Sequence, residues 1–155
     1  MPNWCDNVAT FYGSKEQIKK LKDAPDGNIL GVLAPRPASE EDNWYDWNVA
    51  NWGTKWEVNA EVREEGDEWI SFYFNSAWSP PISAYESAQE QGIKVDAMYY
   101  EPGANFCGRF IDGVDDCYEI PATSAETREQ IPEEIDDAFG VADNQESWEN
   151  EDEND

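Results

Sequence analysis

The sequence has no histidine, only ten Lys and Arg, and three cysteines, Cys5, Cys107 and Cys117, with no Cys-x-x-Cys pair. Common zinc frameworks need Cys and His together, and a disulfide scaffold needs an even thiol count, so both are excluded and the thiols are expected to be reduced and structural. No uninterrupted apolar run approaches the roughly 20 residues that cross a bilayer. The start, Met1-Pro2-Asn3-Trp4, has neither the basic stretch nor the apolar run of a leader, so a cytoplasmic protein is expected. Gly-rich phosphate loops, Gly-x-Ser-x-Gly and Cys/His nucleophile pairs are also missing, and no cofactor is expected.

Acid is abundant instead. Thirty-five Asp and Glu against ten bases give a net charge of −25 at pH 7. Phosphates would be repelled, so unassisted binding to nucleic acid or to an anionic membrane is disfavoured and a basic partner is favoured. The plain alternative is solubility, or adaptation to a salty cytoplasm. Eight Trp, seven Tyr and six Phe in 155 residues supply enough apolar area for one domain with a real core.

Along the chain, residues 4–12 read as a strand, and Ser14 with Gln17 forms a capping box for a helix. That helix faces Ile18 and Leu21 to a core and carries Lys15, Lys19 and Lys22 on another side, the only basic stripe in the sequence. A solvated face is the plain reading of that stripe; docking of an acidic segment, including the chain's own tail, is the other. Residues 35–53 have no clean period but hold Trp44, Tyr45, Trp47 and Trp52. Such a loop is either pinned by its own side chains or used for binding. Pinning predicts Trp52 and Trp56 buried against the sheet, with Trp44 and Trp47 more exposed at its edge.

Trp56, Val58, Ala60 and Val62 alternate with polar residues and predict a strand, followed by a second at 69–76. A three-residue connection, Glu65-Gly66-Asp67 with Gly66 at positive φ, places Val62 opposite Ile70 and Ala60 opposite Phe72. Ser79-Pro80-Pro81 starts a helix that ends at Gly92, and a strand runs from Ile93 to Tyr100. Residues 106–111 and 115–120 then read as a hairpin across Asp112-Gly113-Val114, with Cys107 facing Glu119 and Cys117 facing Arg109.

The order β-α-β-β-α-β plus a hairpin predicts an α+β fold, a ferredoxin-like split βαβ sandwich with an antiparallel sheet and two helices on one face. The predicted domain spans 1–120. Residues 121–155 hold 13 acids and one base, Arg128. They are expected to be an acidic extension, helical over 132–139 with Ile135 and Phe139 touching the body, and disordered from Asp143.

Five segments, Met1-Pro2-Asn3-Trp4-Cys5, Leu33-Ala34-Pro35-Arg36-Pro37, Asn51-Trp52-Gly53-Thr54-Lys55-Trp56, Trp78-Ser79-Pro80-Pro81 and Glu101-Pro102-Gly103, resemble in order the YubB-type ferredoxin-like family of bacteriophages and plasmids. The resemblance runs from about Pro2 to Gly108. It implies a fold and a mobile-element setting, with no established activity and no catalytic residue.

Chemistry is sparse. Glu61, Glu64, Glu65, Asp67 and Glu68 cluster at a hairpin end, and Glu133, Glu134, Asp136 and Asp137 on the extension, but clustered acids at turns are ordinarily just solvated. Neither 112–116 nor 136–140 fits a calcium loop. Phe72, Tyr73 and Phe74 invite base stacking, yet the strand lacks the basic, Gly-containing start of an RNA-binding segment. An enzyme reading rests on Pro2, whose secondary amine would be exposed if Met1 were removed.

The favoured expectation is an inhibitor of a basic host protein, nucleic-acid-binding or defensive, acting by DNA mimicry. Duplex DNA carries one charge per ~1.7 Å, so 25 charges match about 40 Å of duplex, roughly the diameter of a chain this long. The acids above, with Trp44 and Trp47, are the candidate partner-binding residues. An acidic structural or assembly protein of the mobile element is the alternative.

Overall fold

The computed structural model describes residues 3–153. Its elements are β1 (Trp4–Tyr12), α1 (Lys15–Lys22), α2 (Leu30–Leu33), α3 (Trp44–Asn51), β2 (Glu61–Glu65), β3 (Trp69–Ala77), α4 (Ile82–Glu90), β4 (Lys94–Glu101), β5 (Phe106–Ile111), β6 (Val114–Glu119), α5 (Ser124–Gln130), α6 (Glu133–Phe139) and α7 (Val141–Glu153). The strands form a six-stranded sheet in the order β2-β3-β1-β4-β5-β6, every neighbouring pair antiparallel. Together these make a mixed α+β fold. Among the described residues no helix is long and apolar enough to cross a membrane.

Strict alternation on β1 divides the molecule. Cys5, Asn7, Ala9 and Phe11 are fully buried on one face, where they meet Ile70, Phe72 and Phe74 of β3 and Val95 and Ala97 of β4. Ile18 and Leu21 of α1, Leu30 and Leu33 of α2, and Ala84, Tyr85 and Ala88 of α4 close this main core. The Ser14–Gln17 capping box is present at the start of α1. The opposite face carries the C-terminal helices. Ile131, Ile135 and Val141 of the C-terminal segment pack on Tyr100, Cys107 and Ile120 in a second, smaller core, which Phe139 extends at 5.8 Å from Tyr100.

The tail expected to be disordered from Asp143 instead continues helix α7, and beyond the buried Val141 and Ala142 its contacts are polar, which apolar counting misses. The Gln145 amide donates to the Pro121 carbonyl at 2.7 Å, Thr127 Oγ1 donates to Gln145 Oε1, and Glu149 accepts from both the backbone N–H and the hydroxyl of Ser124. Arg128 reaches Asp143 and Glu146 at 3.2 and 2.8 Å. Since these contacts lie across the sheet from α1, the tail does not fold back on the lysine stripe.

Both hairpins differ in register from expectation. In the first, Glu65 faces Ile70 and Val62 faces Phe72, with a bulge at Arg63 taking up the extra loop residue. Gly66 is not at positive φ; its need is space, because a Cβ there would strike the Trp69 indole. In the second, Asp112 and Gly113, at φ 53° and 80°, make a two-residue turn, so Cys107 faces Tyr118 and Cys117 faces Gly108. Cys107 is buried and Cys117 exposed, both as free thiols.

Strand β2 is also shorter than the alternation of 56–62 suggests. Residues 58–60 are claimed by the chain before α2: the Ala60 N–H donates to the Gly27 carbonyl at 2.9 Å and the Asn28 amide to the Val58 carbonyl. Gly27, at φ 71°, is required there because a Cβ would run into the Ala60 backbone.

The second core makes a direct prediction. Ile135→Ala removes a fully buried side chain and should cost about 2–5 kcal/mol in urea unfolding. Burial pushes the Cys107 thiol up to about 12 and so suppresses its thiolate. Labelling of Cys107 should therefore be slow in the native chain and accelerate in Ile135→Ala; equal rates would show that the helical layer does not shield it.

Candidate functional site

The expected partner-binding residues fall into three separate places. Glu61, Glu64 and Glu65 lie exposed on the edge strand β2, with Asp67 and Glu68 in its turn. This charged run blunts an edge that would otherwise offer unpaired backbone groups, and Glu65 is ion-paired to Lys22 at 2.8 Å. Glu133, Glu134, Asp136 and Asp137 stand on α6, over β4 and β5. Three strand spacings, about 14 Å, separate β2 from β4, so the two acidic groups form no single patch. Asp136 is a structural cap, its Oδ1 accepting the Ala142 N–H at 2.8 Å.

The third place is α3. Trp44 is exposed, edge-on to Tyr45 at 5.9 Å. Trp47 is half-buried, packed at 87° on Trp52 at 5.6 Å, and belongs to the main core rather than to a free edge. Trp52 is buried as expected, its indole N–H donating to the Ala34 carbonyl. Trp56, expected to be buried, is exposed beside Trp4, at 6.3 Å between ring centres. It turns outward because residues 58–60 leave the sheet.

The five segments that carry the family resemblance converge at one end of the sheet. The Trp78 N–H donates to the Asn3 carbonyl at 2.8 Å, Thr54 Oγ1 to the Ala77 carbonyl at 2.8 Å, and Ser79 Oγ to the Gly53 carbonyl at 2.7 Å. Asn48 brings in the segment of Arg36, accepting from Arg36 and donating to the Lys55 carbonyl. Glu101 is buried, with its carboxylate taking the N–H groups of Gly103 and Ala104 at 2.7 Å each. Asn3 lies close enough to Gly103 that a Cβ there would strike its amide. This network spends most of its polar groups on backbone and so holds the segments together as a scaffold. Trp4, Trp56 and Trp78 stand exposed on it, and Trp78 is held at φ 71°, a left-handed conformation that costs a bulky residue about 1–2 kcal/mol. Sequence reading did not single out Trp4, Trp56 and Trp78 as exposed; the clue was the density of aromatics inside the five motifs.

Nothing at these places has the geometry of a catalytic pair. Cys5 is fully buried and its thiol is pushed far up by burial and then by Glu101. Pro2 lies outside the described residues. Among the described residues no group of three or more His, Cys, Asp or Glu is placed to hold a metal ion. On β3, Phe72 and Phe74 point into the main core, which leaves Tyr73 alone on the opposite face, its hydroxyl 3.3 Å from Asp6 Oδ1.

No protein-family model matches the chain, and no curated protein matches it. Among solved structures it is similar to protein api92 from Yersinia pseudotuberculosis, described under family model DUF1281, at 17% identity and a TM-score of 0.45. The match covers 62% of this chain and 40% of that one, so the chain spans less than half of that protein's length.

Two carboxylates titrate in a telling direction. Burial holds Asp6 above its ordinary range, opposed by the Tyr73 hydroxyl, and burial likewise raises Glu57 against three backbone N–H donors. A raised value means that the folded chain binds the proton more readily than the unfolded one. Their contribution is therefore full below the ordinary carboxylate range and is lost as pH rises through the raised values. Relief of self-repulsion acts in the same direction. The melting temperature should thus rise as pH falls from neutrality toward the ordinary carboxylate range, and Asp6→Asn, which keeps the acceptor for Tyr73, should flatten part of that slope. A melting temperature that falls over this interval would contradict the assignment.

Proposed function

We propose that the chain is a binding protein that occupies the nucleic-acid site of a basic host protein, in the phage or plasmid setting implied by the resemblance. The observation that carries this reading is the helical layer α5–α7, where Glu126, Glu129, Glu133, Glu134, Asp137, Asp143 and Glu146 are exposed on packed helices. Arg128, its only base, is engaged by Asp143 and Glu146. On a helix, residues four apart are separated by about 6 Å along the axis, so these carboxylates keep defined spacings, as an imitation of a phosphate backbone requires and a disordered tail would not supply. Asp116 on the neighbouring edge strand β6, on the same face as Cys107 and Tyr118, extends the layer.

The strand order β2-β3-β1-β4, with α1 after β1 and α4 after β3, supports reading the first hundred residues as a split βαβ, ferredoxin-like unit. On that reading β5, β6 and the acidic layer are additions to a common scaffold. The exposed aromatic end supports the alternative of an assembly protein of the mobile element, since such patches mark protein contacts.

Capture from host lysate at low salt should yield a basic protein that duplex DNA and rising salt release. Replacing Glu129, Glu133, Glu134 and Asp137 by their amides should weaken that capture at least about tenfold without altering the fold. A captured partner indifferent to DNA would favour assembly, and unchanged capture by the amide variant would remove the acidic layer from the interface.

A further inference from the structure

The Lys55 ammonium lies 4.5 Å from the centre of the Trp56 ring and 5.4 Å from that of Tyr45. The chain holds 35 carboxylates, yet this cation is stacked on aromatic faces; among the described residues the ion pairs are those of Lys22, Arg109 and Arg128. Ring faces attract cations through their quadrupole, and the attraction grows as water is excluded. Both rings remain accessible, Tyr45 at 50% exposure and Trp56 at 36%. Trp44 stands edge-on to Tyr45, and Trp4 to one side of Trp56.

The backbone beneath is fixed. The Lys55 carbonyl accepts from the buried amide of Asn48 at 2.8 Å, and Asn48 is gripped in turn by Arg36 at 2.9 Å. The adjustable part is the four-carbon Lys stem, which can withdraw its ammonium into water while the rings stay in place. Glu41, Asp42 and Asp46, all exposed, flank Trp44 and Tyr45 in the chain and give the surroundings a negative rim.

We propose that Tyr45 and Trp56 form a cleft for an arginine side chain of a basic protein partner, with Lys55 as the internal cation that holds it until the partner displaces it. This rests on the reading that the partner is basic. Arginine is the fitting occupant because its planar guanidinium is weakly hydrated and stacks on rings, whereas an ammonium is compact and strongly hydrated. The −25 charge brings a basic surface close, and the cleft then selects among cations at short range.

The test uses the full chain and two peptides of equal charge, one Arg-rich and one Lys-rich, at an ionic strength that screens long-range attraction. Binding is read by Trp fluorescence and by the indole resonance of Trp56. Lys55→Met keeps the stem and removes the competing charge, and should tighten the Arg peptide about three- to tenfold. Lys20→Met makes the same change in net charge on the exposed side of α1 and should alter binding less than about twofold. Trp56→Leu and Tyr45→Leu, both at exposed positions, should weaken the Arg peptide by a similar three- to tenfold factor and remove its advantage over the Lys peptide. Equal effects of Lys55→Met and Lys20→Met would reduce the cleft to bulk charge and overturn the proposal, as would unchanged affinity in both ring variants. If the ring variants capture a host protein as well as the native chain does, the cleft falls while the DNA-mimic reading survives. If the peptides behave as expected and no basic protein is captured, the cleft stands and that reading falls.

Discussion

Strand β1 constrains everything else. It lies between β3 and β4 and pairs with both along most of its length, so its backbone groups are spent inside the sheet. Its side chains must then alternate between two faces, and Cys5, Asn7, Ala9 and Phe11 commit one face to the main core. The buried Asn7 is held in that apolar row because its amide donates to the Cys5 and Phe74 carbonyls and to Ser76 Oγ. A one-residue slip would bury Asp6 in its place and expose Phe11. Because β1 locks the register, the other face is free to accept a separate layer, and the chain fills part of it with α5–α7.

Much of this arrangement was legible from residue pattern. The period-2 runs on β1, β3 and β4, the capping box before α1 and the proline-led start of α4 each name their element from local chemistry. What was not legible depends on contacts distant in sequence. Residues 58–60 alternate like a strand, but Gly27 and Asn28 claim their backbone groups, and Trp56 is released to solvent as a result. The α7 helix offered too little apolar surface to be called ordered, and it is joined to α5 by Gln145, Glu149 and Arg128. The candidate site shows the same limit: acidity could be counted residue by residue, whereas its division between β2 and α6 follows only from strand order, and a Lys between two rings leaves no mark in a linear sequence.

Charge and aromatics are segregated in a way that suits different tasks. Four of the ten bases lie on α1, beside the main core, while the helical layer across the sheet has one base among its many acids. A self-repelling layer of this kind must be held by apolar anchors and caps, and Ile131, Ile135, Val141 and the Glu149–Ser124 contact supply them. Fields from such a layer act over roughly a Debye length, about 8 Å at physiological salt, and attract any basic surface indiscriminately.

On the proposed reading, discrimination would have to come from short-range contacts, and the aromatic end offers exposed rings for them. Exposing Trp4, Tyr45, Trp56 and Trp78 on one chain costs solubility, and Trp78 adds backbone strain at φ 71°. If these rings served stability alone, they would be better placed inside, as Trp52 is. Their fixed backbones make them inexpensive to use in binding, since little conformational freedom is left to lose when a partner covers them. On the proposed reading, a long-range acidic field and a rigid aromatic platform would divide the work: the first would govern how often a basic surface arrives, the second how long the right one stays.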